Sequence, residues 1–124
     1  MISRYVPVSI GEHVDKIAIL KIKSERMTDP EKLNNVRKEL QLLLTLDEDN
    51  IVDTEEFNSL YVVNQSLWDI EDAIRIEDRK NEFGTRFIEL AREVYQLNDE
   101  RSKIKKNINL KYGSDLIEEK SYEG

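Results

Sequence analysis

Apolar residues recur every three or four positions in four long segments of the chain, and this spacing predicts four α-helices. Ser9 with Glu12, and Asp53 with Glu56, each form a capping box that marks a helix start. Gly113 is a typical C-terminal stop. The predicted helices run from Ile10 to Met27, from Pro30 to about Thr45, from the Asp53 cap to about Arg79, and from the KNEFGT break to Gly113.

The connections between these helices are short, and strand-like alternation is confined to RYVPV near the start of the chain. This pattern predicts an all-α fold, an antiparallel four-helix bundle with two long C-terminal helices. The acidic, aperiodic stretch LDEDNIVD is predicted to be a loop. A length of 124 residues predicts a single domain over residues 1–124.

Both ends of the chain are predicted to lie outside the helices. Residues 1–8 form a short apolar N-terminal arm, and residues 113–124 form a C-terminal tail. The tail carries Leu116, Ile117 and Tyr122 among charged residues, so it either docks on the bundle or waits for a partner.

Helices 3 and 4 are long for a domain of this size, and aromatic residues at Tyr61, Trp68 and Tyr95 widen their apolar stripes. A surplus apolar face of this kind is often covered by a second copy of the chain. The sequence therefore predicts a homodimer.

Polar residues interrupt the apolar stripes of both long helices. At about 100° per residue, Asn64 and Glu71 fall inside the apolar arc of helix 3. The same count places Asn98, Arg101 and Lys105 inside the arc of helix 4. Polar groups of opposite charge are thus predicted to point inward from the two helices.

Helix 1 shows the same feature. Counted from Ile10, Lys21 lies between apolar neighbours, whereas Asp15 and Lys16 fall outside the stripe. A third helix is therefore predicted to direct a polar side chain inward.

One interpretation of these polar residues is structural. Burial of a lone carboxylate is prohibitive, whereas a paired carboxylate is tolerated and can fix the register of packed helices. Glu71 and Arg101 are then predicted to form an ion pair, with Asn64 and Asn98 completing its hydrogen bonds.

The other interpretation is a ligand pocket between the helices. Cationic side chains would receive a small anionic ligand, and polar side chains beside a flat tryptophan would orient it. No cofactor is predicted, and no metal site, since the single histidine, His13, has no partner at metal-ligand spacing; any catalytic residue stays unknown. The candidate ligand-binding residues are Lys21, Asn64, Trp68, Glu71, Asn98, Arg101 and Lys105.

Charge and composition narrow the class of partner. The net charge of −7 and the pI of about 4.8 argue against nucleic acid and against an anionic membrane, because both would be repelled. The absence of cysteine excludes disulfides and thiolate metal sites. No apolar run approaches the roughly 20 residues of a membrane span, and no signal peptide opens the chain. A cytoplasmic protein is predicted.

Four segments that together span nearly the whole chain carry a resemblance: VPVSIGEHVDKIAILKIKSERMTDPEKLNNVRKEL, LWDIEDAIR, FGTRFIELAREVYQLNDERSKIKKNIN and EEKSY. Through them the chain resembles an uncharacterised family of small proteins. The resemblance implies a source among bacteria, in some cases near surface-polysaccharide genes, or among phages of marine cyanobacteria. It implies a shared scaffold, and it transfers no activity and no catalytic residue.

A second resemblance concerns helix 1 alone. HVDKIAILKIKSERM is similar in rhythm to the first helix of all-helical chorismate mutases, which bind a dianion with arginine, lysine and glutamate from several helices. Where that helix carries two arginines, this chain has Lys16 and Lys21. The resemblance therefore implies only the general idea of a cationic pocket.

The predicted function is a non-catalytic binding or assembly module that acts as a homo-oligomer. The alternative is an enzyme that binds a small anion or a nucleotide sugar in a cationic pocket between helices. The two differ in whether the inward polar residues satisfy one another or leave an open cleft.

Overall fold

A computed structural model describes residues 2–121 and shows an all-α bundle, as the sequence predicts. Within those residues there are four α-helices and one turn of 3-10 helix, and there is no β-strand. The helices are α1 (Ile10–Arg26), α2 (Pro30–Leu44), α3 (Glu55–Arg79) and α4 (Thr85–Lys111), and the 3-10 turn is Ile51–Asp53.

The helix starts follow from local capping. The Ser9 hydroxyl accepts a hydrogen bond from the Glu12 backbone N–H at 3.1 Å, as predicted for α1. For α3 the predicted cap, Asp53, is wrong: the cap is Thr54, whose hydroxyl accepts from the Phe57 N–H at 3.2 Å. Asp53 is instead the last residue of the 3-10 turn, where its own N–H donates to Asn50. The extended backbone of Thr54 then redirects the chain into α3.

The connection between α2 and α3 contributes to the core, although its sequence predicts only a loop. The Asp47 carboxylate accepts hydrogen bonds from the backbone N–H groups of Ile51 and Val52, at 3.0 and 3.1 Å. These bonds hold the 3-10 turn so that the Ile51 side chain is buried. Two adjacent apolar residues, Ile51 and Val52, in an acidic stretch give no periodic signal, so the burial of Ile51 could not be read from spacing.

Helix α1 lies at the centre of the molecule. It packs against α2, α3 and α4, whereas α3 and α4 pack along each other as a long antiparallel hairpin. Burial of apolar area around α1 is the main stabilising term of such a bundle. The central cluster of buried apolar side chains consists of Val14, Ile17, Ala18, Ile51, Phe57, Leu60 and Ile108.

The hairpin of α3 and α4 extends beyond the end of α1. Helix α1 ends at Arg26, which pairs with Asp69, and α3 continues to Arg79. We call residues 70–97 the projecting hairpin; its two helical arms are each roughly 15–20 Å long at 1.5 Å per residue. Leu90 is the only fully buried side chain within it.

The C-terminal tail docks on the bundle in part. Gly113 adopts a positive φ of 68° and closes α4, as predicted for a helix stop. The Ser114 hydroxyl accepts from the Ile10 N–H at 3.0 Å and donates to the Leu116 carbonyl at 2.6 Å. Leu116 and Ile117 stay exposed, and Tyr122, the third apolar tail residue, lies outside the described residues.

Candidate functional site

The polar centre of the molecule is Asp15 on α1. Its carboxylate is fully buried, with 0% of the residue exposed. One oxygen accepts from the Asn64 amide at 2.9 Å and from Arg101 Nε at 3.0 Å, and the other accepts from Arg101 Nη2. Arg101 thus grips Asp15 with two parallel hydrogen bonds, the strongest arrangement for this pair of groups.

Two predictions are therefore corrected. Asp15, placed outside the apolar stripe, is buried because α1 has neighbours on three sides and no single stripe describes its contacts. The predicted ion pair of Glu71 with Arg101 is wrong. Glu71 pairs with Arg75 on the same helix at 3.3 Å, with both side chains partly exposed, while Arg101 turns toward α1.

Lys105 forms a second pair beside the first. Its Nζ donates to Glu12 Oε2 at 2.6 Å, and it lies 3.8 Å from Asp15 and 3.7 Å from Glu118 of the tail. We call the group of Glu12, Asp15, Asn64, Arg101 and Lys105 the polar layer. Lys105 belongs to this layer, and three carboxylates already surround its charge.

The polar layer is closed on itself. The hydrogen bonds to Asp15 raise the pKa of Arg101 above its ordinary value, although burial of the guanidinium acts in the opposite direction. Within residues 2–121, every buried side-chain nitrogen or oxygen has a hydrogen-bond partner. A satisfied layer of this kind fixes the register of α1 against α3 and α4 and leaves no buried group that needs a ligand.

Backbone contact between α1 and α4 supports the layer. The Gly11 N–H donates to the Asn109 side-chain oxygen at 2.6 Å, and both residues are buried. A Cβ at position 11 would lie 2.5 Å from the carbonyl oxygen of Lys105, so the close approach requires glycine. Apolar spacing does not identify Gly11, Asn109 or Asp15 as part of this contact. The one sequence signal for the close approach of the two helices is a glycine in the first turn of α1.

A cleft lies next to the polar layer, at the end of α1 and the base of the projecting hairpin. Its volume is about 330 Å³, and five of the seven predicted ligand-binding residues line it. Those five are Asn64, Trp68, Glu71, Asn98 and Arg101, joined by Ile19, Ile22, Leu67, Asp72 and Arg75.

Lys21 and Lys105 do not join this cleft. The ammonium of Lys21 lies over the rings of Phe57 and Tyr61, 5.9 and 5.4 Å from their centroids, on another side of α1. Lys105 is held inside the polar layer by Glu12. The two lysines expected to supply positive charge to a pocket are therefore engaged elsewhere.

The cleft has a balanced electrostatic character. Arg101 reaches it with Nη1, which donates to Asn98 Oδ1 at a long 3.5 Å. Arg75 is the second cation of the lining, and Glu71, which pairs with Arg75, and Asp72 add two carboxylates. Since Asp15 already neutralises Arg101, a small anion meets no excess of positive charge here.

Trp68 lines the cleft, and the end of α1 covers part of its ring. The guanidinium carbon of Arg26 lies 5.8 Å from the centroid of the Trp68 ring, and Arg26 is held by Asp69. The hydrogen bond to Asp69 raises the pKa of Arg26. The tryptophan is therefore first of all a contact surface for the end of α1.

None of the helices in residues 2–121 combines the length and the apolar character that a bilayer crossing requires. A family model described as a family of unknown function (DUF6165) matches residues 4–124. No curated protein and no solved structure matches the chain.

Proposed function

We propose, from the premise that the chain belongs to this family of unknown function (DUF6165), that it is a non-catalytic assembly module that forms a homodimer through the projecting hairpin. The family carries no activity to transfer. Support comes from the contrast between a polar layer whose groups satisfy one another and a hairpin whose apolar side chains lack cover. The predicted cytoplasmic location and the predicted origin in bacteria or cyanophages, in some cases near surface-polysaccharide genes, stay predictions.

The observation that carries the proposal is the exposure of apolar side chains on the projecting hairpin. Ile76, Phe83, Ile88 and Tyr95 are exposed by 42%, 52%, 55% and 55%. Ile88 and Tyr95 are seven residues apart and share one face of α4. Two helices alone cannot cover such a face, whereas two hairpins packed together would complete a second four-helix bundle.

Charge along the hairpin favours an antiparallel arrangement of two copies. The tip, residues 75–90, carries four basic and four acidic side chains. The base, residues 70–74 and 91–97, carries three acidic side chains and one basic side chain. In an antiparallel two-fold dimer each acidic base would lie against the neutral tip of the other copy, and the two acidic bases would lie apart.

The aromatic residues that predicted a dimer need one revision. The Tyr61 hydroxyl donates to the Glu25 carboxylate, and this bond raises the pKa of the Tyr61 phenol. Arg26 covers Trp68 in a similar way. Of the three aromatics, only Tyr95 lies on the face that the proposed dimer would bury.

The mass of the full chain in solution tests the proposal. Sedimentation equilibrium should give twice the 14.6 kDa of one chain for the wild type at micromolar concentration. Ile88→Glu should shift the protein to the monomer, because the dimer would bury a carboxylate without a partner. The matched control is Leu110→Glu, on the same helix, 61% exposed and outside the hairpin; it should leave the dimer intact. A monomeric wild type, or equal effects of the two variants, would refute the proposal.

The alternative function is an enzyme acting on a small anion or a nucleotide sugar in the cleft. It is favoured by Nη1 of Arg101, which Asp15 holds at the cleft and whose hydrogen bond to Asn98 Oδ1 is long, at 3.5 Å. The chorismate mutase resemblance adds nothing to it, since Lys16 and Lys21 line different cavities. Phosphate and UDP-glucose in a thermal-shift titration would test it: a saturable rise in Tm that Asn98→Leu abolishes would support the enzyme.

A further inference from the structure

A second concave surface lies on another side of α1, between the N-terminal arm and α2. We call it the arm groove; it has a volume of about 550 Å³. Its apolar lining comes from the arm and from α2 and the residues just after it. Among the lining residues are Val6, Val8, Leu42, Leu43 and Leu46. The groove is distinct from the cleft and from the projecting hairpin, because it shares no residue with either.

The floor of the arm groove is a fixed junction of α1 and α2. His13 Nε2 lies 2.9 Å from the Leu43 carbonyl oxygen, within hydrogen-bond distance. This contact uses the last turn of α2, where the Leu43 carbonyl also accepts a hydrogen bond from the Leu46 N–H at 3.2 Å. The side chains of Leu42 and Leu46 are left exposed above the junction.

The rim of the arm groove is cationic in a protein that is acidic overall. Arg4, Lys16 and Lys38 line it, against the single carboxylate of Glu39. Within residues 2–121 none of these three cations takes part in an ion pair. A local charge of +2 therefore stands against a net charge of −7 for the whole chain.

We propose that the arm groove binds an amphipathic anion, a single molecule with an aliphatic chain and a carboxylate head. The groove has the size of a small-molecule site, and such sites combine apolar walls with a few placed charges. The chain would cover Leu42 and Leu46, and the carboxylate would accept charge-assisted hydrogen bonds from Lys16 and Lys38.

Charge argues against a second copy of the arm as the occupant. The arm carries Arg4, so an exchanged arm would bring a cation toward Lys16 and Lys38. Like charges placed together cost binding free energy and oppose that pairing. An acidic peptide or an anionic bilayer would satisfy the cations, but neither one requires a concave apolar groove.

Calorimetric titration of the full chain tests this proposal with dodecanoate, used below its micelle concentration. Dodecanoate should bind saturably, and dodecyltrimethylammonium, with the same chain and the opposite charge, should bind about tenfold more weakly or not at all. Equal affinity for the two amphiphiles, or no heat from dodecanoate, would overturn the proposal.

Substitutions locate the site. Lys38→Gln should weaken dodecanoate binding severalfold, and Leu42→Asp should abolish it, because the new carboxylate would repel the head and displace the chain. The matched controls are Lys103→Gln and Leu110→Asp, exposed residues of α4 outside the groove, which should bind like the wild type. Circular dichroism and Tm of each variant confirm that it is folded. Equal loss in the controls, or no loss in either groove variant, would overturn the assignment.

Two further experiments distinguish the class of ligand and show whether the arm groove depends on the dimer. Phosphatidylserine vesicles or a deca-glutamate peptide that bind where dodecanoate does not would overturn the proposal in favour of a macromolecular partner. The Ile88→Glu variant should bind dodecanoate normally, since the hairpin lies outside the groove. Absence of a homodimer and absence of dodecanoate binding to the arm groove are thus separate results.

Discussion

The two halves of the α3–α4 hairpin follow the same sequence pattern and reach different outcomes. In the half covered by α1, Asn64 and Lys105 are buried and fully paired. In the projecting half, Leu90 is the only fully buried side chain, and Glu71 pairs with Arg75 at the surface. A polar residue in an apolar stripe is therefore buried only where a third helix supplies the partner and excludes water.

Removal of a partner in the covered half is expected to have the largest effect on stability. Arg101→Met would leave the buried Asp15 carboxylate without its main counter-charge, at a cost of about 3–5 kcal/mol in the free energy of unfolding. Arg75→Met, in the projecting half, should cost less than about 1 kcal/mol, because Glu71 and Arg75 are both partly exposed. Urea unfolding measures both. Similar losses in the two variants would contradict the difference between the halves.

A double-mutant cycle assigns the partner of Arg101. Asp15→Leu with Arg101→Met should be far less destabilising than the sum of the single substitutions, since the pair is replaced by apolar groups. Glu71→Gln with Arg101→Met should be additive within about 0.5 kcal/mol. The reverse pattern would reinstate the ion pair of Glu71 and Arg101 that the sequence predicted.

Substitutions of two glycines test the same difference between the halves at the backbone, and we expect a smaller change in stability. Gly11→Ala would press a methyl group against the Lys105 carbonyl oxygen, and we expect a loss of about 1–3 kcal/mol. Gly84→Ala, at the tip of the projecting hairpin, meets no atom within 4 Å and should change stability by less than about 0.5 kcal/mol. Thermal unfolding compares the two. A neutral Gly11→Ala would show that α1 and α4 lie further apart than described.

The fold could be predicted from sequence because its signals are local. Apolar spacing and caps such as Ser9 located the helices to within a few residues. The cap of α3 is Thr54, one position after the predicted Asp53, because Asp53 belongs to the preceding 3-10 turn.

The partners of the polar residues could not be predicted in the same way. Asn64 and Arg101 were found because each interrupts a stripe, but Asp15 was missed because a helix with three neighbours has no single buried face. Glu71 also interrupts the stripe of α3, but it lies near the surface because α1 ends at Arg26 and does not cover it. Spacing predicts which residues point inward, and the packing of other helices decides what they meet.

The smallest predicted effect concerns a surface pair at the other end of the hairpin. The hydrogen bond from Lys111 lowers the pKa of Glu56 below its ordinary value of 4.5. The stabilisation is therefore present above pH 4.5 and is lost as the pH falls through the lowered pKa. In an NMR titration the Glu56 midpoint should rise toward 4.5 in Lys111→Gln. An unchanged midpoint would show that the pair does not form in solution.

Hydrogen exchange at two protein concentrations tests whether the projecting hairpin is the proposed dimer surface. On going from dilute to concentrated protein, the amides of residues 70–79 and 87–97 should exchange more slowly, because a second copy covers them. The amides of residues 60–67 and 101–109, already covered by α1, should exchange at an unchanged rate. Exchange in the projecting hairpin that does not depend on concentration would contradict dimer formation through this hairpin.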